Sequence, residues 1–199
     1  IIFDEAQTLP VNYIYPCIWS ITELVKNYGC TAVLCTATQP ALESIIKEFY
    51  SDDIEELCSD TESNYEFFKR VKYSKDGILS DQELSEQLSA NEQVLCVVNS
   101  RIQAQTLYEM LPDEGKFHLS TTMIPIHRKK VLDEIRKRLK EGKPCRVVST
   151  SLIEAGVDVD FPSVYRAVAG LDSIIQAGGR CNREGTNSTE NSVVHVFDT

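Results

Sequence analysis

The sequence is short of the features that would place it in a membrane, a disulfide scaffold or a metal site. No apolar run approaches the ~20 residues of a membrane-spanning helix, so no membrane partner is expected. The seven cysteines, at positions 17, 30, 35, 58, 96, 145 and 181, form no Cys-x-x-Cys pair. Cys35, Cys96 and Cys145 fall in or beside apolar strand patterns, which reads as free, buried thiols in a reducing cytoplasm. His118, His127 and His195 stand apart from one another, so no imidazole metal set is expected. Neither an initiator Met nor a basic leader is present, and an apolar strand pattern is already under way at Ile1. The chain is therefore expected to be a piece of something longer. Positive charge is scarce too: 20 Lys and Arg stand against 30 Asp and Glu, a net charge of −10. That argues against a nucleic-acid binder working by bulk charge.

What remains is an ordinary globular composition, 42% apolar and 25% charged over 199 residues, enough for one full domain and part of another. Charge is unevenly spread. Residues 43–66 hold nine carboxylates against Lys47 and read as a solvated connector, whereas 127–143 are rich in Lys and Arg. A solvated helix face explains such a basic run about as well as a binding stripe does.

Apolar patterning alternates strands with helices. Strands are expected at 1–5 and 31–35, with a helix between them carrying Ile14, Ile18, Ile21 and Val25 and stopped by Gly29. Pro40 suits the first turn of a helix fading near Tyr50. A domain boundary follows in the acidic stretch, giving domains of 1–62 and 63–199. The second domain is expected to hold strands at 67–73, 94–98, 116–119, 146–148, 164–168 and 193–197, and helices at 81–90, 102–111 and 126–139. This is a doubly wound α/β pattern with parallel pairing.

Two places carry chemistry. Asp4-Glu5 close an apolar strand, so both acids arrive at the carboxyl edge of a parallel sheet, where one can hold a divalent cation and the next orient water. Gln176, Arg180 and Arg183 share one face if a single helix runs through all three. Guanidinium forks on that face suit phosphate oxygens. A surface helix whose arginines meet only water would serve for two arginines taken alone.

The order of the segments goes further. Asp-Glu-Ala-Gln (4–7), Thr-Ala-Thr (36–38) and Gln-x-x-Gly-Arg-x-x-Arg (176–183) stand in the order of superfamily 2 helicase motifs II, III and VI. FDEAQTLP (3–10), LCTATQPAL (34–42), HLSTTMIPIHR (118–128), the stretch 150–176 and GRCNREG (179–185) resemble the CRISPR-associated helicase–nuclease of type I systems. The resemblance implies RecA-like parallel sheets flanked by helices, with one truncated first domain and one nearly complete second domain. It implies ATP and Mg2+ as cofactors, with Asp4 positioning the Mg2+ and Glu5 activating water. Gln7, which stands where related helicases carry His, would couple nucleotide state to closure together with Thr36 and Thr38. Gly156, Asp158 and Gln176 would border the nucleotide, with Arg180 and Arg183 as arginine fingers. Ser100, Arg101, Ser120 and Thr150 would lie toward the DNA backbone. Arg166 falls outside the motif, and its replacement by alanine is expected to be tolerated.

The phosphate-cradling pattern G-x-x-x-x-G-K-[ST] does not occur. This piece alone is therefore expected to be inactive, its parent being an ATP-dependent helicase on single-stranded DNA. The partners implied are an RNA-guided CRISPR surveillance complex and a histidine–aspartate nuclease domain in the parent chain. Two alternatives stay open: a generic superfamily 2 helicase on RNA or DNA-repair intermediates, and a non-catalytic DNA-binding or partner-docking module.

Overall fold

A computed structural model of the chain describes residues 1–36, 42–51, 54–58, 60–154 and 156–199. They fall into two compact units, Ile1–Thr61 and Glu62–Thr199.

In the first unit, β1 (Ile2–Phe3) pairs in parallel with β2 (Val33–Leu34), joined by two short 3-10 turns and α1 (Ile14–Tyr28). Gly29 ends α1 with a φ of 63°, a left-handed conformation that costs glycine least. α2 (Glu43–Phe49) follows. Both strands are two residues long, shorter than the runs expected at 1–5 and 31–35, because the backbone leaves the ladder where Glu5 turns left-handed. Among the described residues, Ala6, Ile18 and Leu42 are the apolar side chains this unit buries. The helix start expected at Pro40 lies outside the described residues.

α3 (Thr61–Phe67) begins at the last residue of the first unit and leads into the second, where β3 (Lys72–Ile78), α4 (Asp81–Ala90) and β4 (Gln93–Val97) follow. α5 (Arg101–Met110), β5 (Lys116–Leu119), α6 (Pro125–Lys140), β6 (Cys145–Ser149), β7 (Ser163–Ala167), α7 (Leu171–Gly178) and β8 (Val193–Asp198) complete it. The strand expected at 67–73 is corrected: Phe67 ends a helix, and the strand starts only at Lys72, whose N–H bonds to the Ser192 carbonyl. Partner strand β8 decides where that pairing begins, and local pattern cannot see it. A capping box starts α4: Ser80 accepts the Glu83 N–H while Glu83 receives the Ser80 N–H. Pro125 takes the first turn of α6, where its missing N–H costs nothing.

The six strands lie in the order β3-β8-β7-β4-β6-β5, every pair parallel. Alternate residues of the inner strands supply two cores. Leu95, Val97, Val147 and Val164 meet Leu132 and Ile135 of α6 and Ala177 of α7. On the opposite face Val94, Cys96, Val148 and Tyr165 meet Leu84 and Leu88 of α4 and Ala104 and Leu107 of α5. β4 and β7 are neighbours whose following helices go to opposite faces, which makes the β4/β7 junction the switch point of the sheet.

Candidate functional site

In the first unit, β1 delivers Asp4 and Glu5 exposed at its carboxyl end. The Glu5 N–H bonds to Asp4 Oδ1 at 3.0 Å. Glu5 has φ 55° and ψ 46°, uncommon for a residue with a Cβ and held here by Thr8, whose N–H and hydroxyl both bond to the Glu5 carbonyl at 2.8 Å. Gln7 Nε2 donates to the Glu5 carboxylate, and the Thr36 hydroxyl donates to Gln7 Oε1 at 2.5 Å. One amide side chain thus bridges the acid after β1 and the threonine after β2. Thr38 lies outside the described residues.

The second-unit residues form two groups. Ser100 and Arg101 leave β4, Ser120 leaves β5 and Thr150 leaves β6, so all four sit at the carboxyl edge of the sheet. Ser100 and Arg101 are exposed at the start of α5. Ser120 is buried, its hydroxyl 2.8 Å from that of Thr122. Thr150 is 7% exposed, and its hydroxyl oxygen is buried without a hydrogen-bond partner among the described residues. Such a group carries a desolvation cost until something bonds to it.

The other group lies where the chain passes from β6 to β7 and on beyond α7. Gly156 has φ 67°, and Asp158 is exposed. Gln176 is half-buried on α7. The single helical face expected for Gln176, Arg180 and Arg183 is corrected: α7 ends at Gly178, and the chain turns through Gly179 before either arginine. Two successive glycines, each about 1 kcal/mol worse than alanine in a helix, give the helix no reason to continue.

Past that turn the two arginines part company. Arg180 is buried; its Nε donates to the Ile153 carbonyl at 3.0 Å and its Nη2 to the Glu154 carbonyl at 2.5 Å. Arg183 stays accessible, its Nη2 2.9 Å from Asp158 Oδ1. Its backbone is anchored three ways: its N–H bonds to Asp160 Oδ1 at 2.7 Å, the Glu184 N–H bonds to Asp160 Oδ2 at 3.2 Å, and Arg70 Nη1 donates to its carbonyl.

Asn182 precedes Arg183 with φ 48°. Its side chain donates to the carbonyls of Arg70 (2.9 Å) and Asn187 (2.8 Å) and accepts the Asn187 N–H at 3.0 Å. Among the described residues Glu5 and Asn182 are the non-glycine positions with positive φ, and each adjoins or is a predicted catalytic residue. Asn182 and Asp160 were missed in the sequence. Asn tolerates the left-handed region, but nothing local to Asp160 announces that it will hold a loop more than twenty residues away.

Arg166, whose replacement by alanine is expected to be tolerated, is buried. It is 2% exposed, with Nε 2.9 Å from Glu154 Oε1 and Nη1 donating to Asn99 Oδ1 at 2.7 Å and the Ala167 carbonyl at 2.8 Å. The Glu154 contact is charge against charge rather than an aligned hydrogen bond. Burial pushes the Glu154 carboxyl above its usual range, with Arg166 and the Ser173 hydroxyl pulling the other way. Alanine at 166 would strand that buried acid.

Residues 90–186 match the family described as CRISPR-associated nuclease/helicase Cas3, C-terminal. A protein described as CRISPR-associated nuclease/helicase Cas3 from Haloferax volcanii is 52% identical over 56 residues, 28% of this chain and 6% of that protein. One from Methanothermobacter thermautotrophicus is 32% identical over 96 residues, 48% of this chain and 12% of that protein. The chain thus spans a small part of the length of these relatives. In fold it is similar to T. fusca Cas3 crystallised with ATP, at a TM-score of 0.76 and 14% identity over 98% of this chain and 29% of that one. It is also similar to the DUF1998 helicase MrfA bound to DNA and AMPPNP, at a TM-score of 0.61 and 16% identity over 100% of this chain and 30% of that one. The parallel six-stranded unit has a RecA-like fold, and residues 90–186 within it are similar to the C-terminal part of CRISPR-associated nuclease/helicases.

Proposed function

We propose that this chain supplies part of the motor of an ATP-dependent single-stranded DNA translocase or helicase acting in CRISPR interference and antiviral defence. The observation that carries this reading is the division of the predicted residues in the matched domain. Ser100, Arg101, Ser120 and Thr150 gather at the carboxyl edge of the sheet, while Asp158, Arg180 and Arg183 gather around the 150–162 crossover. A motor that converts phosphoryl transfer into movement along DNA needs two such surfaces on one rigid body.

Arg183 is the better finger of the two arginines. It is accessible, its backbone is immobilised, and its present partner is one exposed carboxylate that a phosphate could replace. Arg180 acts instead by holding the crossover next to it. In the first unit Glu5 orients the attacking water, and Gln7 with Thr36 reports the state of the acid pair.

Asp4 and Glu5 fit a magnesium ion of the nucleotide-bound kind. Among the described residues no three His, Cys, Asp or Glu side chains converge into an all-protein cage, and Mg2+ usually takes one or two carboxylates plus waters and phosphates. When bound, it would supply charge neutralisation on the β- and γ-phosphates. The relatives are described as CRISPR-associated nuclease/helicases, and we propose as partners a histidine–aspartate nuclease domain in the same protein and an RNA-guided surveillance complex. Among the described residues no helix is long and apolar enough to cross a membrane. We place the protein in the cytoplasm on the reading of its cysteines as free thiols.

The test is DNA-stimulated ATPase and strand separation by the full-length protein and its Glu5→Gln variant, with nucleotide binding followed in parallel. Turnover should fall by roughly 100- to 10,000-fold while ATP binding persists. Near-normal turnover in Glu5→Gln would remove the motor assignment.

A further inference from the structure

Arg166 lies between the two groups of residues just described and touches the loops of both. It sits near the carboxyl end of β7, paired in register with Val97 at the end of β4, so it occupies the switch point of the sheet. One arm reaches Asn99, the residue before Ser100 and Arg101, and Asn99 in turn donates to the Val168 carbonyl at 2.8 Å, closing the β4 and β7 exits together. Its Nε faces Glu154, four residues before Asp158. The Glu154 backbone carbonyl holds Arg180.

Packing alone does not ask for this arrangement. A buried ion pair is often no more stabilising than apolar residues of the same volume. What a buried pair does supply is discrete geometry, because each charge has few places it can go.

We propose that Arg166, with Glu154 and Asn99, is a positioning hub that couples the 98–101 loop at the DNA-facing edge to the Glu154–Arg180 contact beside the nucleotide-facing residues. None of the three touches nucleotide or DNA. A shift of Asn99 when a strand engages Ser100 and Arg101 moves the guanidinium fork, and Glu154 and the crossover follow it. The hub rests on the motor reading above.

The experiment uses the full-length protein, with ATPase measured in the absence and presence of single-stranded DNA, and DNA affinity measured separately. Variants are Glu154→Gln, Arg166→Lys and the double replacement Glu154→Met with Arg166→Met. Basal turnover and DNA affinity should stay within about twofold, while the stimulation by DNA falls about tenfold or more, the size of an ordinary coupling between sites. The double variant separates coupling from stability, since two methionines restore a neutral, filled core. If it melts like the parent and keeps full stimulation, the hub is wrong and the motor reading survives. If the parent itself shows no DNA-stimulated turnover, both fall. Hydrogen exchange on the unmodified protein needs no variant: adding single-stranded DNA should change protection in residues 151–158 and 180–183, and unchanged protection there overturns the hub.

Discussion

Arg183 and Asp158 form an exposed ion pair, Nη2 to Oδ1 at 2.9 Å, on a loop whose backbone Asp160 holds from the other side. The pair joins side chains that are 45% and 81% exposed, so it contributes only about 0–1 kcal/mol. An arginine held this lightly can exchange Asp158 for a phosphate at little cost. Arg183→Ala in the full-length protein should therefore leave ATP binding nearly intact while lowering DNA-stimulated kcat about a thousandfold or more. Arg183→Lys should recover little, since a point charge cannot reproduce the fork. Steady-state ATPase beside a nucleotide-binding titration decides it, and near-normal turnover in Arg183→Ala would take the finger role away from this loop.

Arg180→Ala should fail differently. Its guanidinium satisfies two buried carbonyls, at Ile153 and Glu154, and removing it leaves both without that donor. Charge-assisted bonds of this kind contribute about 1.5–3 kcal/mol, so thermal unfolding should show a Tm lower by several degrees. Arg183→Ala should melt like the parent. Equal melting of the two variants would contradict the division between a holding arginine and a reaching one.

The DNA-side residues make a prediction about salt. A chain with a net charge of −10 engages a nucleic acid through a few phosphate contacts, so its affinity should fall only shallowly with ionic strength. Arg101→Ala should reduce the slope of log affinity against log salt by about one unit or less. Thr150→Ala removes a buried hydroxyl that lacks a partner among the described residues, and it should weaken binding equally for strands of every sequence. Fluorescence anisotropy with homopolymer oligonucleotides at several salt concentrations measures both, and a sequence-dependent loss would rule out backbone tracking.

Thiol chemistry tests the packing of the second unit. Burial pushes the Cys145 and Cys181 thiols up to about 12, and Cys96 rises further for the same reason. The thiolate is the reactive form, so raising the pH from 7 to 9 should not open these three to alkylation in the folded protein. Cys58 is exposed and should react first. Mass spectrometry after a timed iodoacetamide pulse gives the order, and early modification of Cys145 or Cys181 would mean that their side of the sheet opens readily.

Periodicity and motif order made much of this molecule legible in its sequence. Strands β4, β5, β6, β7 and β8 and helices α4, α5 and α6 lie within a residue or so of expectation, because each is a clear run of period 2 or 3.6 bounded by Gly, Pro or a capping serine. Asp4-Glu5, Gln176 and the two arginines could be proposed as site residues because their motifs are local in sequence.

Tertiary structure decided what spacing could not. Gly178 and Gly179 weaken α7 locally, and the Phe161–Cys181 bridge then draws the chain into parallel contact with the residues before β7. That Arg166, outside the motif, becomes the buried centre of a network depends on Glu154 and Asn99, twelve and 67 residues away. The separation of Arg180 from Arg183 by burial, and the service of Asp160 and Asn182 in holding the Arg183 loop, have the same origin. Residue type and order determine which groups are available. Which of them become buried, and against what, is set by long-range pairing in the sheet, where each strand's neighbours come from distant parts of the chain.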